Sequence, residues 1–181
     1  SAVCLAIICG NSEVEQQAAM LGQPAENWRN PFFAESLPAL CRQWRPDLLY
    51  IPSSPSGGVM PFQVDAGIAH YFGVGAYLRT PDDARISGVR FTSECLGFAN
   101  MPEDSLLDRM HGNGDSPGAH PSWKQGVPRD HGTAWDFEDV RDHYLTQIYQ
   151  TDAMRLRYAD RERYLALTRR VTGQLMEQTL Q

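Results

Sequence analysis

Residues Val3-Cys4-Leu5-Ala6-Ile7-Ile8-Cys9 form an unbroken apolar run that stops at Gly10-Asn11-Ser12-Glu13. A run with no polar residue between its apolar ones suggests a strand covered on both faces, the situation of a parallel sheet. Polar groups just past the C-terminal end of such a strand stand where α/β folds place their chemistry. Glu13 is therefore the first candidate functional residue. The plainer role for it is a carboxylate at the start of a helix, where the macrodipole favours negative charge.

The totals narrow the partners. A chain of 181 residues is long enough for one domain with a sizeable core, so residues 1–181 are read as a single domain. Its net charge of −6 and lack of a basic cluster argue against nucleic acid, because nothing would neutralise the phosphates. The longest apolar run is far short of a membrane span, so no membrane partner is expected. No basic region precedes the N-terminal apolar run, so it does not read as a signal peptide. Cys4, Cys9, Cys41 and Cys95 have no CxxC or Cys/His spacing, and His111, His120 and His131 have no ligand spacing. We expect no metal and no cofactor.

Strand and helix signals alternate along the chain. Val14–Leu21 suits a short helix stopped by Gly22 and Pro24. Asn30-Pro31 starts another. Within it Pro38 predicts a kink or a fresh start. Leu48–Ile51 reads as a short strand emptying into Pro52-Ser53-Ser54-Pro55-Ser56-Gly57-Gly58, whose serines read first as turn chemistry. Ile68–Val74 is a further strand end carrying His70 and Tyr71. Thr80-Pro81-Asp82-Asp83 opens a short helix closed by Gly88. Val89–Ser93 then leads to Glu94, a second strand ending in a carboxylate. Residues 101–133 read as a long irregular segment, with Trp123 and Trp135 as packing anchors or a sugar-stacking platform. A capping box over Thr133 and Asp136 is expected to start a helix with Phe137, Val140, Tyr144 and Ile148 on one face. Asp152 and Asp160 read as caps of two further helices. The charged face of the last, with Arg161, Arg169, Arg170 and Glu177, reads as solvated. Strands separated by helical segments point to a parallel α/β layout.

Parallel barrel strands present their C-terminal ends on one face, which would bring Glu13 and Glu94 to one mouth. Two carboxylates across a cleft suit retaining glycoside hydrolysis, one as acid/base and one as nucleophile. Their surroundings must differ so that one keeps its proton and the other stays ionised. Two such acids could equally hold a divalent cation.

Cys9-Gly10-Asn11-Ser12-Glu13 after its apolar strand resembles the acid/base motif of glycoside hydrolase family 2, particularly its β-mannosidases. Phe91-Thr92-Ser93-Glu94 resembles the nucleophile strand of that family. Pro52–Ser56 and Ile68-Ala69-His70-Tyr71 resemble the strand ends between them. The resemblance spans residues 3–103. It implies the C-terminal half of a (β/α)8 TIM barrel, roughly four parallel strands with flanking helices. It also implies a retaining hydrolase of terminal β-mannosides or related β-glycosides, with a carbohydrate substrate. Glu13 would be the acid/base and Glu94 the nucleophile, with Asn11, Ser12, His70 and Tyr71 lining the sugar subsite. Two departures stand out. The family places Asn directly before the acid/base Glu, where Ser12 stands here. A full barrel also needs about 200–250 residues, so the chain reads as a partial barrel. An open half leaves strand edges and apolar faces uncovered, which predicts self-association or pairing with the missing barrel half. The alternative is a catalytically inert half-barrel fragment or a carbohydrate-binding piece of a larger enzyme.

Overall fold

A computed structural model describes residues 5–111 and 121–181. Val3, Cys4, His120 and the middle of the 101–133 segment lie outside the described residues. The fold is α/β, with helices and short parallel strands. The chain divides into two compact units, one of residues 1–71 and 85–95, the other of residues 72–84 and 96–181.

The first unit holds the four strands found among the described residues. Strand β1 (Ile7–Cys9) pairs in parallel with β2 (Leu49–Ile51), in the register Ile7↔Leu49, Ile8↔Tyr50, Cys9↔Ile51. Helix α1 (Val14–Met20) follows the tip of β1. The expectation of a strand covered on both faces is not met within this unit. Leu5 is 43% exposed and Leu49 59% exposed, because a two-stranded sheet has no further layer here to cover it. Between α1 and β2 the chain makes a π-helical turn over Phe32–Ser36 and then α2 (Leu37–Trp44). The break before Pro38 matches its missing N–H, which widens the turn ahead of it. Strand β3 (Ala69–Tyr71) pairs in parallel with β4 (Thr92–Cys95). Isolated bridges at Ser12↔Ser54 and Ser56↔Ile68 carry pairing from β1 through the serine loop to β3.

Gly10 lets this loop close. A Cβ there would stand 2.2 Å from the Tyr50 hydroxyl and 2.7 Å from the Pro52 carbonyl oxygen. The Tyr50 hydroxyl in turn donates to the Phe33 carbonyl at 2.8 Å, which ties the sheet to the helical segment before β2.

The second unit is helical. The short helix α3 (Asp83–Ile86), which straddles the boundary between the units, stops just before Gly88, whose φ of 69° turns the chain, as expected. Helices α4 (Asp104–His111) and α5 (Pro121–Gly126) occupy much of the segment expected to be irregular. The Pro and Gly there suggested turns, but Leu106, Leu107 and Met110 recur at helical spacing, and Leu107 is fully buried. Helix α6 (Phe137–Tyr149) is capped by Asp136 and not by Thr133. Asp136 accepts from the Glu138 and Asp139 amides, and Asp139 returns the bond to the Asp136 amide. The box thus lies three residues later than expected, because Asp136 itself has the extended backbone a cap needs. Asp152 caps α7 (Ala153–Ala159) and Asp160 caps α8 (Arg161–Leu180), as expected.

Val140, Tyr144, Leu145, Leu156, Tyr164, Leu165, Val171 and Leu175 form the core of α6, α7 and α8. The Tyr144 hydroxyl accepts from the Gly75 amide at 2.8 Å and donates to the Arg79 carbonyl at 2.7 Å. Into this core go Glu138, Arg141 and Arg157, all buried: Arg141 donates to Glu138, and both arginines donate to Asp142 and to the Tyr164 hydroxyl. The charged face of α8 is not wholly solvated. Arg169 donates to the Pro102 carbonyl and to Asp104, fixing the start of α4. Among the described residues no helix is long and apolar enough to cross a membrane.

Candidate active site

Three strand ends of the first unit bring Glu13, His70 and Glu94 together. Glu13 follows β1 at the head of α1, with φ of 68°. A non-glycine residue in this left-handed region costs of order 1–3 kcal/mol unless its surroundings impose it. Here they do. The Glu13 amide donates to the Ser54 carbonyl at 2.6 Å, and the next amide, of Val14, donates to Asn11 Oδ1 at 3.1 Å. The positive φ turns the chain from strand to helix within one residue.

Asn11 is the brace of that turn. Its amide donates to the Pro52 carbonyl at 2.8 Å, and its Oδ1 also accepts from the Ser53 hydroxyl at 2.9 Å. The expected role at the sugar therefore competes with three bonds inside the protein. Ser12 differs. Its hydroxyl donates to Glu94 Oε1 at 3.0 Å.

The position of Glu94 comes from an irregularity in the sheet. Ala69 pairs with Thr92, but His70 pairs with Glu94, so Ser93 is the extra residue of a bulge. Bulges of this kind re-aim side chains beside active sites. Without it Ser93, not Glu94, would stand opposite His70. Ser93 instead makes a short hydrogen bond with the Ser54 hydroxyl.

His70 joins these pieces. Its side chain is only 2% exposed, whereas Glu13 and Glu94 keep 32% and 47% of their side-chain surface. Nδ1 lies 3.1 Å from Glu13 Oε1. Nε2 lies 3.0 Å from the Ser54 hydroxyl and 3.5 Å from Glu94 Oε1. One buried ring thus touches both carboxylates and ends a hydroxyl chain through Ser54 to Ser93. Tyr71, the next residue of β3, is also buried. Neighbouring strand residues point to opposite faces, so His70 and Tyr71 cannot share one orientation.

Donor atoms of Glu13, His70 and Glu94 lie within 4.8 Å of one another. Two carboxylates and an imidazole at such spacing are also a ligand set for a divalent cation. These groups are already hydrogen-bonded within the protein: Ser12 to Glu94, Ser54 to His70, and Gln17 to Glu13 at 3.3 Å. The Ser54 and Ser93 hydroxyls are the functional candidates that sequence reasoning missed. The signal available was the cluster of hydroxyls at two strand ends, read as turn chemistry in one case and unremarked in the other.

No protein-family model matches the chain, and no curated protein matches it. Among solved structures it is similar to the β-D-mannosidase from Dictyoglomus thermophilum, with a TM-score of 0.65 and 20% identity. The match covers 96% of this chain and 20% of that one. The likeness is one of fold, and the chain spans about a fifth of the length of that enzyme.

Proposed function

We propose that this chain carries the catalytic centre of a retaining glycoside hydrolase of the family 2 type, acting on terminal β-mannosides. One observation carries the reading. One carboxylate oxygen of Glu13 and one of Glu94 lie within 4.8 Å of each other, so the two carboxyls face each other closely. Retaining glycosidases hold their carboxyls about 5–5.5 Å apart, and inverting ones about 6.5–9.5 Å. The fold likeness to a β-mannosidase supports the sugar class.

The roles follow from the contacts. Ser12 and His70 both approach Glu94 through Oε1, so Oε2 is the oxygen that attacks the anomeric carbon. As that bond forms, the glycosidic C–O bond breaks, and Glu13 gives its proton to the departing oxygen. Glu13 is the less solvated of the two acids and heads helix α1 beside His70. In the second half-reaction Glu13 takes a proton from water, and that oxygen displaces Glu94 from the sugar. His70 holds Glu13 through Nδ1 while its buried ring is held by Ser54. Ser12 and His70 are the strand-end residues assigned to the sugar subsite, and Tyr71, on the other face of β3, is left out of it. Asn11 acts there through the turn it braces.

Proton NMR of early hydrolysis of an aryl β-mannoside tests the reading. The β-anomer of mannose should form first. Initial release of the α-anomer would overturn the retaining assignment. Chelation with EDTA should leave the rate unchanged; its loss, restored by a divalent cation, would favour the metal reading of the same three residues.

A second reading has its own support. The apolar strands β1 and β2 are half-exposed, which suits a fragment that folds its site fully only against a further barrel segment or a second copy. Light scattering that returns a clean monomer with full activity would remove this reading.

A further inference from the structure

We infer that Ser54 is a positioning residue: by fixing which nitrogen of His70 carries the ring hydrogen, it keeps the acid proton of Glu13 on Oε2, away from the imidazole. Its catalytic consequence rests on the glycosidase reading proposed above. All the groups involved belong to the first unit. Ser54 is 3% exposed, so its hydroxyl is turned inward and its partners are those of the protein.

Counting protons leaves two arrangements. A hydroxyl has one proton to give, and a neutral imidazole has one N–H and one bare nitrogen. Nδ1 of His70 meets Glu13 Oε1, and Nε2 meets Ser54 Oγ at 3.0 Å. Glu94 Oε1 is farther from Nε2, at 3.5 Å, and already accepts from the Ser12 hydroxyl. An N–H···O bond is ordinarily shorter than that, so Nε2 is aimed at the hydroxyl and not at the nucleophile. Ser54 Oγ is also hydrogen-bonded to Ser93 Oγ. In the first arrangement Ser93 donates to Ser54, Ser54 to Nε2, and Nδ1–H to Glu13 Oε1. In the second every bond is reversed: a proton on Glu13 Oε1 is given to Nδ1, Nε2–H to Ser54, and Ser54 to Ser93.

The reaction selects the first. Double displacement takes Glu13 through both its protonated and its ionised state. The reversed chain fails in the ionised state, because a bare Nδ1 would then face a bare carboxylate oxygen. The first chain suits both states with no change of tautomer in a buried ring. Ser93 is exposed, so its oxygen can accept from water while it donates inward. With Nδ1–H held on Oε1, the proton of neutral Glu13 sits on Oε2. Gln17 meets Oε2 through its amide nitrogen at 3.3 Å, a donor that does not draw the proton away. That proton passes to the departing oxygen as the glycosidic bond breaks, and Oε2 takes one back from water in the second half-reaction. Without the Ser54 hydroxyl, Nε2 loses its donor. The hydrogen then moves to Nε2, and Nδ1 draws the acid proton to Oε1, where the leaving group cannot use it.

Long-range ¹H–¹⁵N spectra of the full chain labelled with ¹⁵N-histidine read the tautomer at neutral pH, with His70 assigned through His70→Asn. The wild type and Glu13→Gln, whose neutral amide stands in for the protonated acid, should both carry the hydrogen on Nδ1. The double variant Glu13→Gln/Ser54→Ala should carry it on Nε2. A ring protonated on Nε2 in the wild type or in Glu13→Gln would overturn the inference, as would Nδ1–H persisting in the double variant. Kinetics give the second readout. In Ser54→Ala the ratio of kcat/KM for methyl β-mannoside to that for 2,4-dinitrophenyl β-mannoside should fall about 10- to 100-fold, part of what general acid catalysis supplies. Ser54→Thr, which keeps the hydroxyl, should restore most of it. An unchanged ratio in Ser54→Ala would also overturn the inference. The expected tautomers in a protein that hydrolyses neither mannoside would sink the glycosidase reading and leave the hydrogen-bond chain standing. Hydrolysis by a wild type with Nε2–H would do the reverse.

Discussion

The two units solve opposite problems. Of the nineteen buried apolar core residues described, only Ile68, Ala69 and Tyr71 belong to the unit with the site. The other sixteen belong to the helical unit. The helical unit also buries charges, but it surrounds them. Arg141 and Arg157 converge on Glu138, Asp142 and the Tyr164 hydroxyl. The site unit instead leaves its carboxylates part-exposed and holds them with single hydroxyls, one imidazole and a strained turn. In the proposed mechanism a substrate must reach both carboxylates and a proton must pass between Glu13 and the departing oxygen, so they cannot be sealed. Charge in the helical unit serves stability; charge in the site unit is left available for chemistry.

Substitutions should separate the two. Glu94→Gln should lower kcat by roughly 10⁴-fold or more, as loss of a nucleophile does, with the melting temperature barely moved. Glu13→Ala should cost about 10²- to 10⁴-fold on substrates with poor leaving groups, and much less on those that depart unaided. Equal losses on both kinds would contradict the division of roles. Arg157→Leu leaves Glu138 and Asp142 buried with one guanidinium fewer. It should destabilise the chain by about 3–5 kcal/mol in urea unfolding. A loss under about 1 kcal/mol would mean that the network is more solvated than its burial implies.

Acid should act mainly on the helical unit. Burial opposes ionisation of Glu138, but Arg141 and Arg157 outweigh it and hold the carboxyl below the usual glutamate range. The unfolded state therefore binds the extra proton first, and stability falls as pH drops below about 4.3. Burial alone pushes the His143 imidazole below its usual range, so its contribution is complete above about pH 6.5 and is lost as pH falls from there. Melting temperature should decline in two steps between pH 8 and 3.5, and Arg157→Leu should shrink the lower one. A flat profile would contradict both assignments. The smallest effect expected is that of Ser12→Ala. It removes one donor from Glu94 Oε1 and should change kcat by about 10-fold with stability altered by less than about 0.5 kcal/mol.

The ends of β1 and β2 were legible in the sequence because each marks a sharp change from apolar residues to polar ones, Asn11-Ser12-Glu13 and Ser53-Ser54. Pro38, Gly88, Asp152 and Asp160 acted locally, as their backbone chemistry dictates. What escaped depended on pairing between distant segments. The bulge at Ser93 exists only in the register of β3 against β4. The Ser54 hydroxyl matters only because His70 meets it from another strand. Arg157 carries no local mark of burial, and only the packing of α6 and α8 encloses it. Thr133 misled because Thr and Asp three residues apart suit a cap wherever they fall; Asp136 and Asp139 fit the same pattern and took it.

Covalent trapping addresses the central claim most directly. The full chain is incubated with a 2-fluoro-mannosyl inactivator that carries a good leaving group, and peptides are mapped by mass spectrometry. A single adduct is expected on the peptide containing Glu94, with Glu13 unlabelled. An adduct on Glu13 would reverse the roles, and no adduct from a folded protein that binds mannotriose would contradict the catalytic claim itself.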